Sequence, residues 1–424
     1  MKNILFVTPT TTFDNGAEIS IFYLMKYLVS QGYNVFSVCQ EIPEPQQDEH
    51  RKHYDEVGIN AIYLPAAKWW WEDAPGGQPG SKAHRVESYR RNIKEIGDVI
   101  EEYSIDLVIS NTVNVFQGAV AAKVAGVPHY WLIHEFPEKE FAYYLDKCDF
   151  ISEFSTEIFS VSGNLNDKLQ QLFNDKQIGC FVPYTQIPDM ELDKGDKARI
   201  VSVGRVNERK NQLELIQSFG QLQKDENSNL ELVFIGPWDD DYKKKCQNYI
   251  DEHNLTNISF LGFKSNPWEY LTDKDICVFT SAQETFGLVY VEAILKGLPV
   301  ILSDNLGHKT AYDIFKIGSM YHLGDVDELS GMIISMLGNQ QEVYIQAHQD
   351  KEKAKRLYRV EKTYEEIISK IKSQKALTSK SSLRHIADLF TVNTEPTKLE
   401  RGARKISHTL YSCLLYTSDA ADDG

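Results

Sequence analysis

The sequence predicts an α/β protein made of two doubly wound domains in series, and three observations carry that prediction. Short apolar, β-rich runs alternate with longer segments of helical period; a polar stretch at residues 190–198 interrupts the alternation; the same plan then begins again. Alternating strands and helices imply βαβ units, hence parallel sheets with helices on their faces. A chain of 424 residues has room for two or three domains at roughly 150 residues each.

The elements follow in order. Residues 4–7 form a short apolar run ending in a turn, and residues 17–30 put Ile21, Leu24 and Leu28 on one helical face until Gly32 stops the helix. Residues 34–39 read as the next strand, and further strands are expected at 105–110, 127–133, 150–151 and 178–182, completing a first domain over 1–190. After the linker the second domain, 199–340, starts with a strand at 199–203, a helix at 212–223 and a strand at 230–235. Strands at 258–260, 276–279 and 299–302 continue it. Residues 341–371 form a long charged helical region, expected to cross back onto the first domain.

Residues 373–382 are rich in Ser and Lys and have little capacity to pack. Residues 372–412 carry eight basic and three acidic side chains, the pattern of a basic tail or of the start of a lost segment. Residues 413–424, beginning Cys-Leu-Leu-Tyr-Thr-Ser-Asp, resemble the translation of a sequencing-library adaptor rather than a native polar tail, and are set aside.

Composition narrows the function classes. With 42% hydrophobic and 25% charged residues, the chain is neither disordered nor a disulfide scaffold. A net charge of −16 disfavours general binding to nucleic acid, whose affinity comes from neutralising phosphates. No apolar stretch approaches the roughly 20 residues of a membrane span, and the N-terminus leads straight into a strand with no secretory signal. The six cysteines form no Cys-x-x-Cys pair, and Cys39 and Cys277 lie inside apolar strand patterns. A cytoplasmic address is expected.

Four segments carry candidate chemistry. The most informative follows a strand: Glu284 and Glu292 stand eight positions apart, and Gly287 between them opens a helix that ends at Gly297. A helix that starts directly after a parallel strand offers unpaired N–H groups and partial positive charge to an anion. Glu292, in the second helical turn, can accept two hydrogen bonds from a vicinal diol such as ribose. Glu284 lies in the loop at a strand's C-terminal end, where ligands of open α/β sheets bind. The second segment is Gly204-Arg205-x4-Lys210, whose planar fork and point charge suit a diphosphate, with Arg209 expected as a bystander. The third places His134 at a strand end, and the fourth is the loop Asp14-Asn15-Gly16-Ala17-Glu18.

Each has a blander reading. Glu284 and Glu292 could be solvated carboxylates, Arg205 and Lys210 surface charges, and His134 a satisfied core histidine beside Trp131. Asp239-Asp240-Asp241 suggests a metal, but a helix N-terminus with first-turn acids explains it better, and no metal is expected. Trp69-Trp70-Trp71 could be local packing, an acceptor platform or a lipid contact. Lys82, Arg85, Arg90, Arg91 and Lys94 could form a salt-bridged face or a membrane-docking one.

Together, Glu-x7-Glu with Phe286-Gly287-Leu288 inside it and the Gly-Arg-x4-Lys motif resemble glycosyltransferase family 4, the retaining enzymes of the GT-B fold, over about residues 3–371. The resemblance implies two Rossmann-like domains facing a central cleft, with the acceptor mostly on the first and a nucleotide-sugar donor, UDP- or GDP-linked, mostly on the second. It implies that Arg205 and Lys210 hold the donor diphosphate, Glu292 the ribose, and Glu284 faces the transferred sugar. Backbone N–H groups at Phe286, Gly287 and Leu288 would meet sugar and phosphate. His134 would contact the donor sugar, Gly16 would let the first loop approach it, and the nucleobase would lie beside Gly262-Phe263-Lys264.

The implied activity is metal-independent transfer of a hexosyl or related unit to a glycan or lipid-linked glycan in surface polysaccharide synthesis, with peripheral contact at the inner face of the membrane. Retention would proceed by a front-face reaction or through a covalent glycosyl-enzyme. Three departures touch loops: Asn15-Gly16 for a glycine pair, Tyr184-Thr185 for Asn-Gly after Pro183, and Asn305 to Thr310 where a glycine pair and a glutamate are usual. Rival readings are a same-fold epimerase or hydrolase and a non-catalytic glycan-binding scaffold. A nicotinamide oxidoreductase is weaker, because neither domain shows Gly-x-Gly-x-x-Gly after its first strand.

Overall fold

In the computed structural model, residues 2–13, 15–65, 70–188, 191–224 and 230–375 are described. Asp14, Trp69, Met190, the adaptor-like segment and the tail from residue 376 onward lie outside them. The chain divides into two units. The first comprises residues up to Tyr184 together with those from Thr363, and the second runs from Thr185 to Lys362.

The first unit runs β1 (Asn3–Val7), α1 (Gly16–Ser30), β2 (Asn34–Gln40), α2 (Gln46–Glu56), β3 (Asn60–Leu64), α3 (Lys82–Glu102), β4 (Leu107–Asn111), α4 (Gln117–Ala125), β5 (His129–Ile133), α5 (Cys148–Phe154), β6 (Glu157–Val161), α6 (Asn164–Leu172) and β7 (Ile178–Phe181). Its seven strands pair in parallel in the order β3-β2-β1-β4-β5-β6-β7. The second unit runs β8 (Arg199–Val203), α7 (Gln212–Lys224), β9 (Glu231–Ile235), α8 (Asp240–Glu252), β10 (Ile258–Phe260), β11 (Asp275–Phe279), α9 (Leu288–Lys296), β12 (Val300–Ser303), α10 (Leu306–Phe315), β13 (Ser319–Tyr321), α11 (Val326–Gly338) and α12 (Gln340–Leu357). Its six parallel strands are ordered β10-β9-β8-β11-β12-β13. A short helix, α13 (Val360–Thr363), ends at the division, and α14 (Glu365–Ser373) packs on β7 in the first unit.

Both sheets are covered on two faces, so central strands are buried along nearly their whole length instead of on alternate residues. In the second unit Ile200, Leu232, Phe234, Ile276, Val278 and Ile301 meet Leu215, Ile216 and Phe219 of α7 in one core. The strand order reverses between β1 and β4 and again between β8 and β11. At such a point the flanking helices leave on opposite faces, and a crevice opens at the strands' C-terminal ends.

Residues 150–151 are not a strand. They lie in α5, where Phe150 and Phe154, one turn apart, stack their rings at 4.2 Å. A two-residue apolar pair fits a helix face as well as a strand, and the strand beside β5 is β6, whose Glu157 opposes Tyr130. The edge strands β3 and β13, neither fully buried, and the interior strand β6 were not among the strands expected from the sequence.

Trp71 is a packing residue: its ring stacks on Phe116 at 3.9 Å and its Nε1 donates to the Val113 carbonyl at 3.1 Å. Trp70 donates to the Pro9 carbonyl at 2.7 Å. On α3, Arg85 pairs with Glu72 at 2.5 Å and Lys94 with Asp98 at 2.6 Å. Among the described residues, no helix is long and apolar enough to cross a membrane.

Candidate active site

The second unit gathers its candidate residues at the β8/β11 reversal. Gly204 and Gly236, both at positive φ, let two loops touch there; a Cβ on Gly236 would lie 2.2 Å from the Gly204 carbonyl oxygen. The loop after β8 is then sewn to the end of β11. Thr280 Oγ1 donates to the Lys210 and Asn211 carbonyls at 3.2 and 2.9 Å, and the Ala282 N–H donates to the Arg209 carbonyl at 2.8 Å.

This stitching brings Lys210 Nζ to 2.5 Å from Glu284 Oε1, with the Arg209 guanidinium 3.6 Å from Oε2. Ser281 Oγ donates to Oε1 at 2.9 Å. Burial alone would push the Glu284 carboxyl up, but Lys210, then Arg209 and His308, outweigh it and hold it at about 2. Glu284 is therefore an ionised acceptor at neutral pH. Arg209, expected as a bystander, stands instead beside this carboxylate, because its carbonyl anchors the loop to Ala282.

Gly287 holds the N-cap position of α9 at φ 94° and, as a glycine, brings no side chain to the helix's first N–H groups. Phe286 before it is buried. Beneath Gly287 lies His308, fully buried, where a Cβ on residue 287 would approach its Cδ2 to 2.9 Å. His308 Nδ1 is 3.0 Å from the Ser303 carbonyl and 2.9 Å from Asn305 Nδ2, while Asn305 Oδ1 caps α10 by accepting the Gly307 and His308 N–H groups. Burial pushes His308 down to about 4, so the ring is neutral; its Nε2 has no hydrogen-bond partner among the described residues.

One turn into α9, Glu292 accepts from Thr185 Oγ1 at 2.9 Å on one oxygen and from Trp268 Nε1 at 3.2 Å on the other. Burial pushes its carboxyl up to about 7, against the pull of Thr185, Trp268 and Lys210. Arg205 is less engaged: half-exposed, it reaches Asp239 Oδ1 at 3.4 Å. Phe263 is 70% exposed, and Lys264 Nζ lies 4.7 Å from the Tyr270 ring. Asp239 holds the N-cap position of α8, with Asp240 and Asp241 in its first turn. Among the described residues, no three His, Cys, Asp or Glu side chains gather to hold a metal ion.

In the first unit, His134 follows β5 and is buried, with Nε2 2.9 Å from Asn111 Oδ1. Asn111 Nδ2 donates to the Ala17 carbonyl at 3.3 Å, so its oxygen is the acceptor and His134 carries its proton on Nε2. Burial holds His134 at about 3, a neutral imidazole. Glu135 beside it accepts from the Val113 and His134 N–H groups at 3.1 and 3.0 Å, and burial pushes it up to about 7. Gly16 opens α1 behind Asn15, whose Oδ1 accepts the Glu18 N–H at 3.0 Å.

Sequence reasoning missed Thr185, Trp268, Ser281 and His308 as site residues. Thr185 and His308 both fall in segments where the chain departs from the pattern it resembles, which was a signal; Trp268 gave none.

The comparisons bear on the same stretch of chain. Residues 185–357 match the family model described as Glycosyl transferases group 1. The second unit carries that match. Among curated relatives, the capsular polysaccharide biosynthesis glycosyltransferase CapH of Staphylococcus aureus is 31% identical over 173 residues, 40% of this chain and 48% of the relative. The N-acetylgalactosamine-N,N'-diacetylbacillosaminyl-diphospho-undecaprenol 4-alpha-N-acetylgalactosaminyltransferase of Campylobacter jejuni is 31% identical over 181 residues, 40% of this chain and 46% of the relative. The chain thus spans less than half the length of these relatives. Among solved structures, Anabaena HepE in complex with UDP and glucose superposes with a TM-score of 0.68 at 17% identity, over 88% of this chain and all of that one. At that identity the likeness is one of fold, and the fold is GT-B: two parallel-sheet, Rossmann-like domains.

Proposed function

We propose that this chain is a retaining glycosyltransferase that moves a sugar from a UDP- or GDP-linked donor to a glycan or lipid-linked glycan acceptor in surface polysaccharide synthesis. The observation that carries the reading is the Lys210–Glu284 ion pair at the β8/β11 reversal, beside the N-terminus of α9, whose N-cap residue Gly287 has no side chain to occupy it. The group 1 match over this unit and the names of the two bacterial relatives support it.

In this reading Lys210, Arg205 and the N–H groups of Phe286, Gly287 and Leu288 hold the diphosphate and stabilise it as it leaves, which supplies fixed positive charge where negative charge develops. Glu292 accepts hydrogen bonds from the ribose diol, and Phe263 and Lys264 flank the base. Glu284, ionised down to about pH 2, cannot give up a proton at neutral pH. It serves as an acceptor for sugar hydroxyls. His134, a neutral imidazole, and Gly16 take the donor-sugar roles that the resemblance implies.

Retention follows a front-face path. The bond from the anomeric carbon to the phosphate oxygen breaks as the acceptor oxygen bonds to the same face, and the acceptor's proton passes to the departing phosphate. These fixed cations make the reaction metal-independent. A cytoplasmic address and peripheral contact at the inner membrane face, where a lipid-linked acceptor would be met, belong to the same proposal.

The test is product analysis with UDP- and GDP-sugars and lipid-linked glycan acceptors. Acceptor-dependent release of nucleoside diphosphate, with the donor's anomeric configuration kept in the product, is expected. Free sugar or an isomerised nucleotide sugar formed without acceptor would overturn the reading in favour of a hydrolase or epimerase.

A further inference from the structure

The carboxylates of Glu284 and Glu292 are held in different ways. Glu284 is gripped by cations: Lys210 at 2.5 Å and Arg209 at 3.6 Å. Glu292 makes no ion pair among the described residues; its two oxygens each accept from one neutral donor, Thr185 Oγ1 and Trp268 Nε1. Both donors are buried, at 3% and 5% exposure, whereas Glu292 is only partly covered and stays within reach of a ligand.

Thr185 is itself pinned, because its N–H donates to the buried Tyr358 hydroxyl at 2.7 Å. Trp268 is fixed in a short 3-10 turn, Pro267–Tyr270. A carboxylate held by one rigid donor on each oxygen keeps a fixed plane, and each oxygen keeps a second lone pair for an incoming hydroxyl. A vicinal diol needs that geometry, since its two hydroxyls must reach two oxygens at once. A cation would hold the carboxylate as firmly but would weaken its oxygens as acceptors for hydroxyls.

We propose that Thr185 and Trp268 are positioning residues that orient the Glu292 carboxylate for the ribose diol, and so set preference for ribonucleotides over 2′-deoxyribonucleotides. The inference rests on the donor-site reading above. It concerns a position, 185, where this chain carries a hydroxyl side chain in place of the glycine of the pattern it resembles, and a tryptophan that no sequence motif marks.

The experiment is calorimetric titration of the full chain with UDP, 2′-deoxy-UDP, GDP and 2′-deoxy-GDP. Wild type is compared with Thr185→Val, which keeps shape and removes the donor, with Thr185→Ser, which restores it, and with Trp268→Phe. Thr185→Val and Trp268→Phe are expected to weaken the preferred ribonucleotide about three- to tenfold, the range of one net hydrogen bond. They weaken the 2′-deoxy nucleotides, which keep only the 3′-hydroxyl, less than the ribonucleotides, and Thr185→Ser returns to the wild-type ratio. Equal loss for both sugars, no loss in either variant, or failure of the serine to rescue would overturn the inference while leaving the donor site standing. If wild type binds none of the four, the donor-site reading itself fails. Trp268→Phe carries the test alone if Thr185→Val does not fold.

Discussion

Gly287→Ala is the substitution whose cost can be worked most directly from the structure. Residue 287 has φ 94°, and a Cβ there would lie 2.9 Å from His308 Cδ2 and 3.2 Å from Nε2. Left-handed backbone costs a residue with a Cβ roughly 1–2 kcal/mol. Forcing extra volume onto a buried ring costs about 1–3 kcal/mol more. His308 cannot swing away cheaply, since Ser303 and Asn305 hold its Nδ1. The sum is about 2–5 kcal/mol. Hydrogen exchange of peptides covering β11, α9 and β12 reads this locally, without assuming that the two units unfold together. In a double-mutant cycle, His308→Ala should remove the steric part and leave the backbone part, giving a favourable coupling of about 1–3 kcal/mol. A loss below about 1 kcal/mol in Gly287→Ala, or no coupling to His308, would refute this account of how the α9 N-terminus is kept open.

Other outcomes follow from the same geometry. Lys210→Ala leaves the buried Glu284 with the Ser281 hydroxyl and the more distant Arg209 and should destabilise by about 3–5 kcal/mol, whereas Lys210→Ala with Glu284→Gln should recover much of that in a urea titration. Because Glu284 is held near 2, below its unfolded value, its stabilising contribution is present above about pH 4.5 and is lost as pH falls toward 2; Glu284→Gln should flatten that acid limb of the stability curve. Glu292, raised to about 7, has the opposite sign: its contribution to stability is present below about pH 4.5 and lost as pH rises through 7. Affinity for a nucleotide sugar, whose diphosphate diester does not titrate in this range, should correspondingly fall as pH drops below 7, and Glu292→Gln should remove that dependence. His134→Ala should lower turnover while nucleotide binding to the second unit is unchanged, measured as kcat against nucleotide Kd.

Much of this architecture was legible because buried parallel strands write themselves as short apolar runs. Residues 199–203, 258–260 and 276–279 could be placed to within a residue, as could the glycines at both ends of α9. Glu284, Glu292 and Lys210 could be singled out because loops at the C-terminal ends of strands must carry the ligand groups. What resisted reading was contact across the fold. Thr185 meets Glu292 over 107 positions and Trp268 meets it over 24, and no periodicity encodes either. Phe150 and Ile151 failed for the complementary reason: a pair of apolar residues is too short to show whether its period is two or 3.6. The nearness of Arg209 to Glu284 was not legible either, because the backbone bond from Ala282 that brings it there leaves no mark on side-chain pattern.

The central claim is that the second unit binds a nucleoside diphosphate at the C-terminal ends of β8 and β11. Calorimetric titration of the chain with UDP, GDP, ADP and dTDP, repeated with Arg205→Ala and Glu292→Ala, tests it most directly. Arg205 is half-exposed, so its replacement should leave the fold intact. The account predicts saturable one-to-one binding of one nucleotide, weakened strongly in both variants. A cooperatively folded chain that binds none of the four, or that binds one equally well in both variants, would contradict it.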